Sequence, residues 1–218
     1  MAIPFFSIDF KMSEWSSIFS VFLGFSSRSK QEKKLLELLH NRFPEKKITL
    51  FPSARMAFYF VLKNTFKTGD EVIFPAMGFP LYVKIALQLG LKPVYVDVED
   101  EHFTIDVEQL GTAITANTKG IVVTHLFGYP CNMDEVMKVS NKYDIPVIED
   151  CAQSYDSFYK EKETGTFGYA GIFSCSLMKV PTTLGGGILL TEDETLHNDI
   201  NTKLEVGSFN KSTTFRLK

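Results

Sequence analysis

From residue 30 onward, the chain alternates short apolar segments with amphipathic segments of helical length. The strand-like segments are EVIFP, KPVYVDV, KGIVVTH, IPVIED and AGIFSCS. The helix-like segments are SKQEKKLLELLHNRF, ARMAFYFVLKNTF, FPLYVKIALQLG, DVEQLGTAI and NMDEVMKVSNKY. This alternation indicates βαβ units, because parallel neighbouring strands need a long crossover connection. We therefore predict an α/β fold with a largely parallel sheet.

Length and composition fit one such domain. The chain has 218 residues, of which 44% are hydrophobic and 22% charged, and its formal net charge is −3. That charge gives no basic face for nucleic acid. Cys131, Cys151 and Cys175 lie far apart, without CxxC pairing or histidines at ligand spacing, and the four histidines are scattered. We therefore predict a reducing, cytoplasmic compartment and no metal site.

The N-terminal segment is a separate question. Residues 15–25, WSSIFSVFLGF, are apolar and aromatic, but they are shorter than the ~20 residues that a membrane span needs. We interpret residues 1–29 as a docking segment that packs on the domain or on a partner subunit, in preference to a membrane contact.

Parallel sheets bind their ligands at the carboxyl ends of the strands. In this sequence PAMGF follows EVIF, His125 follows IVVT, Glu149 and Asp150 follow PVI, and Lys179 comes after AGIFSCS. Polar and aromatic side chains from distant parts of the chain are therefore expected along one edge of the sheet.

Each of these residues also has an ordinary explanation. A lysine in a desolvated pocket has a lowered pKa and forms Schiff bases, but a lysine at a strand end can equally be solvated, and Lys179 fits both descriptions. Ser53, in FPSARMAF, opens a helix whose N-terminus suits a phosphate, with Arg55 as an added positive charge. Such a serine is also a common helix cap. Asp150 alone would be read as a cap or an ion-pair member.

The motifs in their order along the chain indicate a family more specifically than any single residue does. They are SARMAFYFVLKNTFKTGDEVIFPAMGF, then LGLKPVYVDVEDEHFTIDVEQLGTAITANTKGIVVTHLFGYPCNMDEV, and then YDIPVIEDCAQSYDSFYKEKETGTFGYAGIFSCSLMK. This pattern closely resembles the DegT-type family of pyridoxal-phosphate sugar aminotransferases from about residue 30 to about residue 200. The resemblance implies that residues 30–218 form the large domain of a fold type I enzyme, in which helices cover both faces of a mostly parallel sheet.

The resemblance also implies the role of each site residue. Lys179 would bind pyridoxal 5'-phosphate as a Schiff base and then move the proton, and Asp150 would pair with the protonated ring nitrogen. Phe79 would stack on the ring, and Gln153 would lie near its phenolic oxygen. The phosphate would be held by Ser174 and by the backbone of Ser53, Ala54 and Arg55.

Two further features keep more than one interpretation. Gly185, Gly186 and Gly187 suit a close backbone approach after the lysine, although a flexible turn explains each of them as well. His125 lies in a family-like THLFG context, but a neutral core histidine explains it as well as a functional one. The three cysteines are predicted to be core residues, with Cys175 close to the site.

Two departures from the family pattern matter. The family has a hydroxyl residue where Arg55 stands, so we expect an altered phosphate cradle. The sequence ends at EVGSFNKSTTFRLK. Compared with the family pattern, we expect it to lack the small C-terminal domain and the Asn-containing stretch by which the partner subunit completes the site. We expect the missing burial to expose apolar surface and to favour dimerisation or aggregation, and we predict a homodimer.

The leading functional hypothesis is an aminotransferase that moves an amino group from an amino acid, such as glutamate, to a keto-sugar nucleotide for polysaccharide synthesis. A dehydratase that uses the same cofactor is expected to carry histidine at the lysine position, so Lys179 argues against it. A non-catalytic relative that acts by association is favoured by Arg55 and by the short chain. A dinucleotide-binding protein ranks last, because no GxGxxG follows the first strand.

Overall fold

A computed structural model describes residues 27–176, 179, 181 and 185–206. The docking segment predicted for residues 1–29 lies almost entirely outside this described part, so it stays a prediction. None of the described helices is both long and apolar enough to cross a membrane.

Helices and strands alternate through most of the described chain. In chain order the elements are α1 (Arg28–Arg42), β1 (Lys47–Phe51), α2 (Ala54–Thr65), β2 (Glu71–Pro75), α3 (Pro80–Gln88), β3 (Lys92–Val96), α4 (Val107–Ala113), β4 (Thr118–Thr124), a 3₁₀ turn (Leu126–Gly128), α5 (Met133–Tyr143), β5 (Val147–Asp150), β6 (Phe158–Tyr159), β7 (Lys162–Glu163), β8 (Ala170–Ser174), β9 (Gly187–Thr191) and α6 (Glu194–Val206). The predicted helices and strands are all present, with ends that differ by a few residues.

The helix ends follow their capping residues. Ser53, Asp106 and Asn132 precede α2, α4 and α5, and their side chains accept hydrogen bonds from backbone N–H groups of the first turn. Pro80 begins α3, where its missing N–H costs nothing because the first turn has no intrahelical acceptor. Local sequence therefore fixes where these helices start.

Seven strands form one sheet in the order β1-β9-β8-β5-β4-β2-β3, and β6 and β7 form a separate hairpin. All neighbouring pairs from β8 to β3 are parallel, whereas β9 runs antiparallel to both β1 and β8. The predicted largely parallel sheet is confirmed. β1, β9 and α6 were not predicted from the sequence. β9 begins at the last of three glycines that were interpreted only as part of the lysine loop.

Helices cover both faces of the sheet, which makes the three-layer arrangement that the resemblance implied. On one face, residues of α2, α3 and α6 pack with alternate strand residues such as Val122, Ile148 and Ile172. On the other face, residues of α4 and α5 pack with Ile121, Val123 and Val147. Because successive strand residues point to opposite faces, Asp150 lies on the α2–α3 side and Glu149 on the other.

Candidate active site

The structure brings the ends of β4, β5 and β8 to one edge of the sheet. Thr124 is the register partner of Asp150, and Asp150 is the register partner of Ile172, two residues before the end of β8. Ser174 in turn lies opposite Gly187 at the start of β9. Residues that are up to 63 positions apart in the sequence therefore meet, as expected for parallel strands.

Asp150 is almost completely buried at this edge, with 2% of its surface exposed. Its Oδ1 accepts a hydrogen bond from the Ala152 N–H at 3.0 Å. Burial raises the pKa of this carboxyl to about 6, and the Ala152 N–H, the nearby charge of Lys179 and the Thr124 hydroxyl only partly oppose that rise. Asp150 is therefore a buried acid with fewer donors than a carboxylate can accept.

Lys179 lies on the loop after β8 and is half-buried, with its backbone N–H bonded to the Ser176 carbonyl at 2.9 Å. Burial lowers the pKa of its amine, and the negative charge of Asp150 opposes that shift. The two side chains are thus electrostatic neighbours in one site. A lowered amine pKa increases the fraction of neutral, nucleophilic lysine at neutral pH.

The start of α2 lies against the start of β9. The Ser53 hydroxyl caps α2 by accepting from the Met56 N–H at 3.3 Å, and Ser53 forms a β-bridge with Gly186. A Cβ on Gly187 would lie 2.5 Å from the Ala54 nitrogen, so only glycine permits this approach. Among the described residues, an added Cβ on Gly185 would meet no atom within 4 Å, so the close-approach interpretation stays a prediction at that position.

Ser174 and Arg55 complete this corner. Ser174 lies opposite Gly187, and its hydroxyl is 3.4 Å from that of Ser176. Arg55 is exposed in the first turn of α2. The residues predicted to hold a phosphate therefore surround one helix N-terminus, where unpaired N–H groups and the helix dipole favour an anion.

Phe79 caps α3 at the mouth of a cavity of about 310 Å³. Phe79 is 47% exposed, and its ring contacts the Tyr82 ring edge-on, with centroids 5.4 Å apart. Gly78 and Thr124 line the same cavity. The predicted stacking residue is thus partly exposed at the carboxyl edge of the sheet, where Asp150 and Lys179 also lie.

Gln153 joins two loops of this edge. Its Oε1 accepts a hydrogen bond from the Phe127 N–H at 3.1 Å, which links the loop after β5 to the 3₁₀ turn after β4. Phe127 itself has a positive φ of 54°. The position beside a ring oxygen that the resemblance implied for Gln153 stays a prediction.

His125 is completely buried, and both of its ring nitrogens are engaged by the protein. Nε2 lies 3.1 Å from Glu149 Oε2, and Nδ1 lies 3.0 Å from the backbone N–H of Cys131, which donates to it. An Nδ1 that accepts a hydrogen bond carries no proton, so the ring is the neutral tautomer that donates from Nε2. Of the two interpretations left open by the sequence, the structural one fits.

His125, Glu149 and Cys151 have ligand atoms that all lie within 4.8 Å of one another, a cluster that the scattered sequence positions did not predict. The histidine nitrogens and both Glu149 oxygens already have hydrogen-bond partners. Burial raises the pKa of the Cys151 thiol to about 11, so it stays protonated. The cluster is a hydrogen-bonded core rather than a set of available metal ligands. Cys131, Cys151 and Cys175 are all buried, as predicted.

Three residues at this edge were not predicted from the sequence. Tyr82 and Thr124 line the cavity, and Glu149 anchors the structure behind Asp150. Tyr82 comes three positions after Phe79, which is the spacing of one helix face, so its proximity was accessible from the sequence. The contacts of Glu149 were not, because they come from backbone groups of a distant loop.

Comparisons with known proteins agree with this arrangement. The signature of the DegT/DnrJ/EryC1/StrS aminotransferase family matches residues 27–216. GDP-perosamine synthase of Escherichia coli O157:H7 is 38% identical over 130 residues, which are 60% of this chain and 36% of that protein.

Two solved structures extend the likeness to the fold. An aminotransferase from Psychrobacter cryohalolentis superposes with a TM-score of 0.83 at 30% identity, over 93% of this chain and 53% of that one. The GDP-4-keto-6-deoxy-D-mannose-3-dehydratase of E. coli, solved with bound hydrated pyridoxal phosphate, gives a TM-score of 0.81 at 29% identity, over 91% and 53%. The cofactor expected for the family is therefore present in a structure of this fold.

The chain spans about half the length of these solved structures and about a third of the length of the synthase. The match to the family signature nevertheless covers all the described residues, including every strand of the sheet. The chain belongs to the DegT/DnrJ/EryC1/StrS aminotransferase family.

Proposed function

We propose that this chain binds pyridoxal 5'-phosphate and forms the cofactor-binding part of an enzyme that transfers an amino group from an amino acid to a keto-sugar nucleotide. The observation that carries the proposal is that Lys179, whose pKa is lowered by burial, lies within electrostatic reach of the buried Asp150. Both lie at the carboxyl edge of the sheet, beside the start of α2.

The described residues fit the chemistry of this cofactor. The start of α2, with Ser53, Ala54 and the close approach of Gly187, supplies backbone N–H groups for a phosphate. Asp150 is buried and has room for one more donor, which a protonated pyridine nitrogen would supply. A donor that carries positive charge would also remove the cost of burying the ionised carboxylate.

Bound pyridoxal phosphate supplies an electron sink for the carbanion that amino transfer requires. The residues of this chain would hold and complete that site. The Lys179 amine would attach the cofactor and then carry a proton to and from the reacting carbon, which requires a neutral amine for part of the cycle. The Asp150 carboxylate would keep the ring nitrogen protonated, and Phe79 would cover one face of the ring.

The substrate class is proposed from the relatives. GDP-perosamine synthase and the GDP-4-keto-6-deoxy-D-mannose dehydratase are both named for nucleotide-linked sugars. The lysine at position 179 favours amino transfer over dehydration, for which a histidine is expected at that position. Glutamate as the amino donor is part of the proposal, as is a cytoplasmic location.

Covalent attachment of the cofactor tests the proposal. The protein is incubated with pyridoxal phosphate and treated with borohydride, which makes a lysine–cofactor bond permanent, and the labelled peptide is then identified by mass spectrometry. We expect the label on Lys179 and none in Lys179→Ala. Lys92→Ala removes an exposed lysine at the start of β3 and should keep the label.

A label on other lysines at the same level in Lys179→Ala would refute the assignment. If neither the wild type nor the variant binds the cofactor, the non-catalytic relative becomes the better hypothesis, and it is the second candidate because Arg55 replaces the hydroxyl residue expected in the phosphate loop.

We also propose that two copies of the chain associate. Large apolar side chains are exposed near the site on the loops after β2 and β4, where Met77, Phe79, Phe127 and Tyr129 are each more than 40% exposed. Light scattering after size exclusion should give about twice the 24.7 kDa mass of one chain. A monomer at micromolar concentration would refute the dimer and leave the cofactor proposal standing.

A further inference from the structure

Tyr82 places a polar group in the cavity that the proposed function leaves unused. Its side chain is 3% exposed and lines the cavity together with Phe74, Gly78, Phe79, Val122 and Thr124. Among the described residues its hydroxyl has no hydrogen-bond partner. Because no fully buried side-chain N or O atom of the described residues lacks a partner, this hydroxyl keeps some accessible surface, which a bound acceptor would contact.

Two aromatic rings fix the direction of this side chain. The Tyr82 ring stacks on Phe58 of α2 with centroids 3.9 Å apart and an interplanar angle of 10°, and it meets Phe79 edge-on. Phe58 lies one turn after Arg55 in α2, so the tyrosine runs alongside the first turn of that helix. The orientation is therefore set by packing and does not depend on a hydrogen bond.

Charged groups from both ends of the proposed site act on the hydroxyl. Burial raises its pKa well above 10, the nearby Asp150 and Cys151 act in the same direction, and the positive charge of Arg55 opposes them. The phenol is therefore protonated at neutral pH and can donate. Asp150 marks the ring-nitrogen end of the proposed site, and Arg55 marks the phosphate end at the start of α2.

We propose that the Tyr82 hydroxyl is a further cofactor-binding group of this chain, donating a hydrogen bond to the phosphate held at the start of α2. The inference rests on the proposed function and adds a residue to it. A phosphate oxygen is the strongest acceptor that the cofactor offers, and the backbone N–H groups and Arg55 already draw it to this corner. The Tyr82 donor would compensate for the hydroxyl group that the family has at position 55 and that this chain, with Arg55, lacks.

Tyr82→Phe is the test, because it removes only the oxygen and keeps the ring that stacks on Phe58. Dissociation constants are measured for pyridoxal phosphate, for pyridoxal and, by competition, for inorganic phosphate. We expect affinity for pyridoxal phosphate to fall roughly tenfold, about the value of one hydrogen bond to a charged group, with a similar fall for phosphate and almost none for pyridoxal. The ³¹P shift of the bound cofactor should also change.

Tyr143→Phe is the matched control, because Tyr143 ends α5 and is 41% exposed, away from the cavity. Its three dissociation constants should equal those of the wild type. Thermal unfolding of both variants without ligand checks that neither substitution disturbs the fold.

Two results would overturn the inference: equal weakening of pyridoxal phosphate and pyridoxal, which would make Tyr82 a contact of the ring, or no weakening at all. A wild type that binds neither pyridoxal phosphate nor phosphate would overturn it as well. Failure of the proposed function is separable, since a protein that binds the cofactor through Tyr82 but transfers no amino group would refute the activity and support this contact.

Discussion

Glu149 and Asp150 are neighbours on β5, both buried, and their surroundings differ completely. On the side of the sheet that faces α4 and α5, the Glu149 carboxylate accepts four N–H hydrogen bonds. Oε2 accepts from Gly165 at 2.7 Å and from His125 at 3.1 Å, and Oε1 accepts from Phe167 at 2.8 Å and from Gly168 at 2.7 Å. On the opposite side, which faces α2 and α3, the Asp150 carboxylate accepts one hydrogen bond, from the Ala152 N–H at 3.0 Å, and lies near the Thr124 hydroxyl.

The difference separates a structural carboxylate from one that is ready for a ligand. The donors around Glu149 replace the water that burial removes, and they fix the loop before β8 against the sheet. The donors around Asp150 replace only part of it, so its pKa rises to about 6 and a further donor would be stabilising. Adjacent buried acids thus have opposite uses because a strand points them to opposite faces.

Replacing Glu149 should give the largest effect. In Glu149→Gln an NH₂ group takes the place of an oxygen that accepts N–H donors, so at least one buried backbone N–H loses its acceptor. We expect the free energy of unfolding, measured in urea, to fall by roughly 3–5 kcal/mol. Glu161→Gln, at an exposed position of the β6–β7 hairpin, should change it by less than about 0.5 kcal/mol. Equal effects would mean that the four donors contribute nothing specific.

Replacing Asp150 should change the free energy of unfolding by less, and at neutral pH it should raise that free energy instead of lowering it. Because its folded pKa of about 6 exceeds the ordinary 3.8, the folded state holds the proton more tightly than the unfolded state. The stability of the wild type should therefore rise, relative to Asp150→Asn, as the pH falls from about 7 to about 4, by about 3 kcal/mol at most. Urea unfolding of cofactor-free protein at both pH values measures this difference. A gap that does not change with pH would show that Asp150 is not strained by burial.

The close approach of β9 to the start of α2 can be tested by adding a Cβ to a glycine. Gly187→Ala would force a Cβ against the Ala54 nitrogen and the Ser53 carbonyl carbon, so β9 and α2 would have to move apart. We expect a loss of roughly 1–3 kcal/mol of stability, together with weaker binding of pyridoxal phosphate. Gly111→Ala, in α4, meets no atom within 4 Å among the described residues and should lower neither measurement. Identical behaviour of the two variants would contradict the close approach.

The smallest effect is expected at the cap of α2. Ser53→Ala removes the acceptor of the Met56 N–H, which should cost about 1 kcal/mol in thermal unfolding. Ser53→Asp restores a capping oxygen but adds a negative charge where a phosphate is proposed, so it should recover the stability and lose cofactor affinity. Recovery of both would argue against an anion at this helix end.

Much of the fold was predictable from local sequence. Apolar runs such as IPVIED and capping residues such as Ser53 and Asp106 specify strands and helix starts through short-range hydrogen bonds and burial. The antiparallel strand β9 was not predictable from local sequence. Its residues, GILLT, come directly after glycines, and its partner strands, KITLF and AGIFS, lie elsewhere in the chain. Pairing across such distances depends on the whole sheet.

Some properties of the site were likewise predictable from the sequence, and others were not. By itself the sequence determined which residue types stand after each strand, and the motif order that indicated Lys179 and Asp150 as partners. Only the tertiary structure decided that Glu149 has a full set of donors while Asp150 does not, that both His125 nitrogens are engaged, and that Tyr82 lines a cavity. Those properties depend on how many donors reach an atom and how much water is excluded from it, and both are set by segments that meet only in the folded chain.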